Sequence, residues 1–283
     1  MEEISNFVKK NPAISMYVLA SILGVGMLSP IIAGVVPKDS IVLLIAAYSA
    51  SLTGVILTMI ASGKAGLRKM FDRLRIWRVG IGWWAFALFA LVPMYLGGMV
   101  LGNLFIGSSL DLSHVPPLYM FIPLFIMKFL VDAGFGEELG WRGFLLPRIQ
   151  ARHNALVSSI IVGIVWGLWH LPFFIIDLDF PPYYELGQAY GVIPSLIGYI
   201  IFFMIPWTIL YTWVYNNTKG SLLLAFVFHS SQAWFGLFLD TDNLIGPYLG
   251  YTVIITIIAI VVVWVYGAKN LSRNNERIII QDA

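Results

Sequence analysis

Cysteine is absent from this 283-residue chain. That excludes disulfides, thiol nucleophiles and thiolate metal sites. Charge is scarce as well: Asp, Glu, Lys and Arg make up 11% of the residues, where a soluble domain carries about 25%. There are only four histidines. The chain contains neither Gly-x-Ser-x-Gly nor His-Glu-x-x-His, so the sequence marks of a serine-hydrolase elbow and of a zincin helix are missing. No internal repeat or low-complexity segment stands out. The first eleven residues are polar and the apolar run after them is too long for a signal h-region, so no cleavable signal is expected.

What the chain has in quantity is apolar sequence, 59% of it. Apolar runs cover 13–36, 40–62, 79–106, 117–130 (continuing toward 150), 154–176, 192–215, 221–239 and 246–266. A membrane span needs about 20 residues. The chain therefore reads as an all-α polytopic membrane protein of about eight transmembrane helices, one domain over 1–283, with a polar site buried in the bundle. Residues 268–283 form a tail too short to fold alone. The net charge of +2 is less informative than its distribution. Lys9 and Lys10 precede the first span. Six Lys and Arg residues between Lys64 and Arg78 follow the second, Arg148 and Arg152 the fourth, Lys219 the sixth, and Lys269, Arg273 and Arg277 the eighth. The alternate connections hold Lys38 alone and carry Asp39, Asp111, Asp177, Asp179, Glu185, Asp240 and Asp242. By the positive-inside rule both termini are expected on the cytoplasmic side of what reads as a prokaryotic plasma membrane. The partner expected from composition is the bilayer, with no nucleic acid. Gly97, Gly98 and Gly102 are read as helix contacts.

One stretch resists the apolar pattern. Between Asp132 and Gln150 lie Glu137, Glu138 and Arg142. Ionised groups at membrane depth cost roughly 2.5–3.5 kcal/mol each, so they are kept where they pair or act. Glu138 and Arg142 are four residues apart and can pair on a helix. Glu137 then points about 100° away and is available for chemistry. Lys128 and Asp132 form a second candidate pair. His114 and His153 fall in connections, but His170 and His229 each lie inside an apolar run. Counted at 1.5 Å per residue from the basic flank, His229 lies about 14 Å deep and His170 about 24 Å. If the fourth helix runs on to Gln150, Glu137 lies about 20 Å deep, in the same layer. A carboxylate and a neutral imidazole beside one water can take its proton and aim it at a carbonyl. A second imidazole or an amide can stabilise the oxyanion. A transporter could use the same groups as a proton relay.

At these residues the chain resembles the CPBP family, the CAAX proteases and bacteriocin-processing enzymes also called Abi proteins. The family signature is Glu-Glu-x-x-x-Arg, then an aromatic-x-x-x-His that usually begins with Phe, then His-x-x-x-Asn or Asp. Glu137, Glu138 and Arg142 match the first part. The second is Trp166-x-x-x-His170, with Trp in place of Phe, and the third begins at His229 but has Ala233 where the amide or acid belongs. The motifs span 137–233, and the family's eight-helix layout fits the whole chain. The resemblance implies an intramembrane endopeptidase of the type II CAAX prenyl kind, which removes the last three residues after a prenylated cysteine. It implies that Glu137 and His170 activate water, that His229 serves the oxyanion, and that Glu138 and Arg142 orient the helix. Gln232 or Ser230 would then stand in for the missing Asn. A metal-free glutamate mechanism is expected, with no cofactor. The same three residues, Glu137, His170 and His229, would also make a zinc set with an open position. Relatives that serve in bacteriocin immunity or as scaffolds leave a non-catalytic reading, which Ala233 favours.

Overall fold

A computed structural model describes residues 2–37, 40–106, 117–131, 133–175, 190–235 and 245–282. His114, the Lys128–Asp132 pair and the acidic loop 177–191 fall wholly or partly outside them. Every regular element among the described residues is helical. In chain order these are α1 (Glu2–Lys10), α2 (Pro12–Ile32), α3 (Ile41–Asp72), α4 (Ile81–Phe89), α5 (Leu91–Ile106), α6 (Phe121–Val131) and α7 (Ala133–Glu138). A π-helical turn, Leu139–Leu145, joins α7 to α8 (Leu146–Gln150). Then come α9 (Ala155–Trp169), α10 (Leu171–Ile175), α11 (Val192–Tyr199), a second π turn (Ile200–Met204), α12 (Ile205–Asn217), α13 (Leu222–Phe235) and α14 (Ile245–Tyr266).

The protein is an all-α membrane protein. Among the described residues, six helical stretches are long and apolar enough to cross a membrane: Pro12–Ile32, Ile41–Arg75, Ile81–Phe105, Ala155–Ile175, Val192–Asn217 and Gly246–Tyr266. The fourth and seventh predicted spans are not among them: the described residues of the fourth form α6, α7, the π turn and α8, and those of the seventh include an apolar helix over Leu222–Gln232.

Close backbone contacts set the arrangement. A Cβ added at Gly102 would lie 2.0 Å from the Gly246 carbonyl oxygen, and one at Gly98 would lie 2.6 Å from the Tyr251 nitrogen. So α5 and α14 meet main chain to main chain, as the small residues lead one to expect. The same device holds the π turn. A Cβ at Gly140 would lie 2.4 Å from the Ala50 carbonyl oxygen, and one at Gly54 would lie 2.5 Å from that of Leu139. Backbone cannot move aside as a side-chain tip can. Gly140→Ala is therefore expected to destabilise the protein by about 1–3 kcal/mol, the usual cost of overpacking, which thermal unfolding in detergent would register. The opposite outcome, an unchanged melting temperature, would mean that α3 and the π turn can separate.

The basic connections gather at one end of the bundle. There Arg152 donates to the Lys9 and Lys10 carbonyls, and Ser221 Oγ donates to the Ile76 carbonyl at 2.6 Å. The residues after α14 lie on this end as well. Ile280 donates its N–H to the Pro147 carbonyl, Gln150 donates to that of Ile278, and Arg148 forks onto Asp282 with two contacts of 2.7 Å. Ser62 also donates to Asp282. Burial alone would raise the Asp282 pKa, but the hydrogen bonds from Arg148 and Ser62, with the Arg148 charge, outweigh it and hold the carboxyl below its ordinary range. Residues 268–282 are thus packed against α8 and α12 rather than trailing from them.

Candidate active site

The π turn and the helices facing it bring all five predicted residues into one buried cluster. Glu137, Glu138, Arg142, His170 and His229 are each less than 9% exposed. Glu138 and Arg142 pair at 2.8 Å, as their spacing predicts. His229 Nδ1 lies 2.7 Å from the same Glu138 oxygen, Oε1. An ionised carboxylate only accepts, so this Nδ1 carries the proton and donates it. The remaining charge of Arg142 is met by aromatic faces: its guanidinium carbon lies 3.8 Å from the Tyr211 ring centre and 4.7 Å from that of Trp166. Desolvated guanidinium groups are well suited to such stacking.

Glu137 is held differently. Its Oε2 accepts from the indole N–H of Trp141 at 2.8 Å and of Trp166 at 2.7 Å. Neither donor is charged. His170 sits where α9 breaks. Pro172 lacks a backbone N–H and cannot continue a straight helix, and α9 ends at Trp169. At the break the His170 N–H bonds the Gly167 carbonyl at 3.1 Å, and the ring Nδ1 reaches the Trp166 carbonyl at 2.9 Å. A carbonyl can only accept, so Nδ1 is protonated and Nε2 bears the lone pair in the neutral ring. Tyr199 packs edge-on against His170 with 5.3 Å between ring centres.

Trp166 ties the parts together. Its ring centre lies 5.2 Å from that of His229 and 6.4 Å from that of His170, while its N–H bonds Glu137. The five residues are therefore drawn together from α7, the π turn, α9 and α13. Among the described residues, no three His, Cys, Asp or Glu side chains are grouped to hold a metal ion. Both Nδ1 atoms face carbonyl or carboxylate oxygens, which leaves each ring's Nε2 for chemistry.

Of the two candidates for a missing amide, Ser230 is spent, because its hydroxyl donates to the Phe226 carbonyl at 2.8 Å. Gln232 lies one helical turn beyond His229, with its Oε1 3.3 Å from the Tyr211 hydroxyl. Sequence reasoning singled out neither Trp141 nor Tyr211. The signal for Trp141 was present in its four-residue spacing from Glu137, the same spacing that exposed the Glu138–Arg142 pair.

A family model described as Rce1-like, type II CAAX prenyl endopeptidase, matches residues 115–235. All five cluster residues lie within that segment. The chain is 32% identical over 126 residues to CAAX prenyl protease 2 of Methanococcus maripaludis, an alignment that covers 44% of this chain and 40% of that protein. It is 25% identical over 158 residues to Lysostaphin resistance protein A of Staphylococcus haemolyticus, covering 56% of this chain and 38% of the other. The chain thus spans about two fifths of the length of the curated relatives it matches. The resemblance drawn from the Glu-Glu-x-x-x-Arg and histidine motifs is the one that these comparisons return.

Proposed function

We propose that the chain is an intramembrane endopeptidase that hydrolyses a peptide bond in a membrane-anchored, prenylated substrate. One observation carries this reading: Glu137, His170 and His229, from three separate helical segments, are buried together around Trp166 inside the segment that matches the CAAX endopeptidase model. Glu137 acts as general base, and His170 Nε2 shares the water with it. The water oxygen attacks the peptide carbonyl carbon, its proton passes to Glu137, and the carbonyl oxygen takes up the negative charge. The Gln232 amide N–H groups face that oxyanion, and His229, whose Nδ1–H is given to Glu138, serves it only through a second proton on Nε2. Glu137 then returns the proton to the leaving amine. Burial makes each of these groups more effective, since water does not screen them. Glu138 and Arg142 hold the helix and the His229 tautomer. No step is routed through a metal.

The test is cleavage of a farnesylated peptide by the purified protein in detergent, with and without chelator. Turnover that survives chelation is expected. Loss on chelation with recovery on adding zinc would overturn the metal-free mechanism. Gln232→Ala is expected to lower kcat by about 10²-fold with KM little changed, the usual cost of an oxyanion donor. A full-rate Gln232→Ala enzyme would remove that residue from the scheme. Position 233 also favours a second reading, in which the protein acts by binding alone. One similar protein is named for resistance to lysostaphin. That reading predicts no cleavage by the wild-type protein and a cellular phenotype that survives Glu137→Ala.

A further inference from the structure

Helix α12 supplies none of the residues predicted for the site, yet its Tyr211 touches Arg142 and His229. The Tyr211 side chain is buried. The Arg142 guanidinium carbon stands 3.8 Å from its ring centre, and the His229 ring meets it edge-on with 5.6 Å between centres. The Tyr211 hydroxyl donates to Gln232 Oε1 at 3.3 Å. We propose that Tyr211 is a positioning residue that holds the Gln232 amide with its N–H groups toward the reacting carbonyl. This rests on the endopeptidase reading above and on the oxyanion role given there to Gln232.

A side-chain amide has two orientations of nearly equal shape and opposite chemistry. Turned one way, its NH2 presents donors to an oxyanion. Turned by half a circle, its oxygen presents lone pairs that repel one. Packing scarcely separates the two, because the amide oxygen and nitrogen are close in size. A hydrogen-bond partner does separate them. A phenol hydroxyl can donate or accept, so the choice passes to whatever biases Tyr211. Arg142 is a permanent cation, and it lies on the ring face, where the π electrons attract it. It draws electron density from the phenol oxygen. That makes the hydroxyl a better donor and a poorer acceptor. The group on Gln232 that can receive a donor is its oxygen, and the NH2 then falls on the other side of the amide.

The Tyr211 ring is boxed in. Phe228 lies 4.8 Å, Trp207 5.6 Å and Trp166 5.8 Å from it between ring centres. The cation over it is fixed in turn by Glu138 at 2.8 Å, and that carboxylate is shared with His229 Nδ1. Gln232 follows His229 by about one turn of α13, so the amide and the imidazole share a helix face. The buried ion pair therefore acts on the oxyanion side of the site through the Tyr211 ring, besides holding the helix.

Tyr211→Phe removes the hydroxyl and keeps the ring beneath Arg142. It is expected to lower kcat about fivefold with KM and melting temperature unchanged, the effect of losing one hydrogen bond between neutral groups. In a Gln232→Ala background the same substitution is expected to cost nothing further, because the amide it orients is gone. A full-rate Tyr211→Phe enzyme beside a slow Gln232→Ala enzyme would overturn the proposal, and so would losses that multiply in the double variant. Infrared spectroscopy of protein carrying an isotope-labelled glutamine carbonyl reads the bond without turnover. The Gln232 band, assigned by its loss in Gln232→Ala, is expected at higher frequency in Tyr211→Phe than in the wild type. An unmoved band would overturn the proposal even in a protein that cleaves peptide. A band that moves in a protein that cleaves nothing would instead keep the Tyr211–Gln232 bond and remove the endopeptidase reading.

Discussion

Glu137→Gln and Glu137→Ala are expected to reduce cleavage by about 10³-fold or more, at the upper part of the range for loss of a positioned general base. The two variants separate chemistry from packing. Glutamine keeps the acceptor oxygen for the Trp141 and Trp166 indoles, so the protein should melt as the wild type does while turnover disappears. Alanine leaves two buried indole N–H groups without that acceptor, and a loss of about 1–3 kcal/mol in stability should accompany the loss of activity. His170→Ala should be nearly as inactive, because the lone pair on Nε2 goes with the ring. Cleavage by Glu137→Gln at even a tenth of the wild-type rate would mean that another group takes the proton.

The largest effect on stability is expected at Glu138. Its carboxylate is 0% exposed and bonds both Arg142 and His229. Removing one member of a buried ion pair typically costs about 3–5 kcal/mol, because the charge left behind has no water to turn to. Glu138→Ala should therefore unfold the protein or lower its melting temperature sharply. Arg142→Leu should do the same from the other side. The double variant, Glu138→Leu with Arg142→Leu, leaves neither charge stranded and should melt above both single variants. It should still be inactive, since His229 then loses the acceptor that fixes its Nδ1 proton. Equal stability for the double and single variants would show that the two charges are not coupled.

The parts of this arrangement that were legible in sequence share one property: they depend on spacing along a single helix. Glu138 and Arg142 were read as partners four residues apart, and they pair at 2.8 Å. The apolar runs marked the helices, and the alternation of basic connections anticipated the basic end where Arg152 meets Lys9 and Lys10. What was not legible depends on contacts across helices. Nothing along the chain says that Trp166 reaches Glu137 from 29 residues away. The π turn lies where Gly140 meets Ala50 backbone, a tertiary contact that local propensity does not encode. The last residues were read as a tail too short to fold alone, and the Arg148–Asp282 fork is among the cross-chain contacts that dock them. Six of the eight predicted runs reappear as span-length helices among the described residues, and the run through Glu137 and Arg142 is broken into α6, α7, the π turn and α8, its charges offset by partners both within the segment and on other helices.

That offset has a bearing on biosynthesis. The segment from α6 to α8 leaves the ribosome before Trp166 and His229 have emerged behind it. At that moment Glu137 lacks the Trp166 indole, and Glu138 lacks His229. With each exposed charge costing roughly 2.5–3.5 kcal/mol in lipid, the nascent segment should linger in the insertion machinery or at the headgroup layer. It should move to its final depth only when α9 and α13 arrive to receive it.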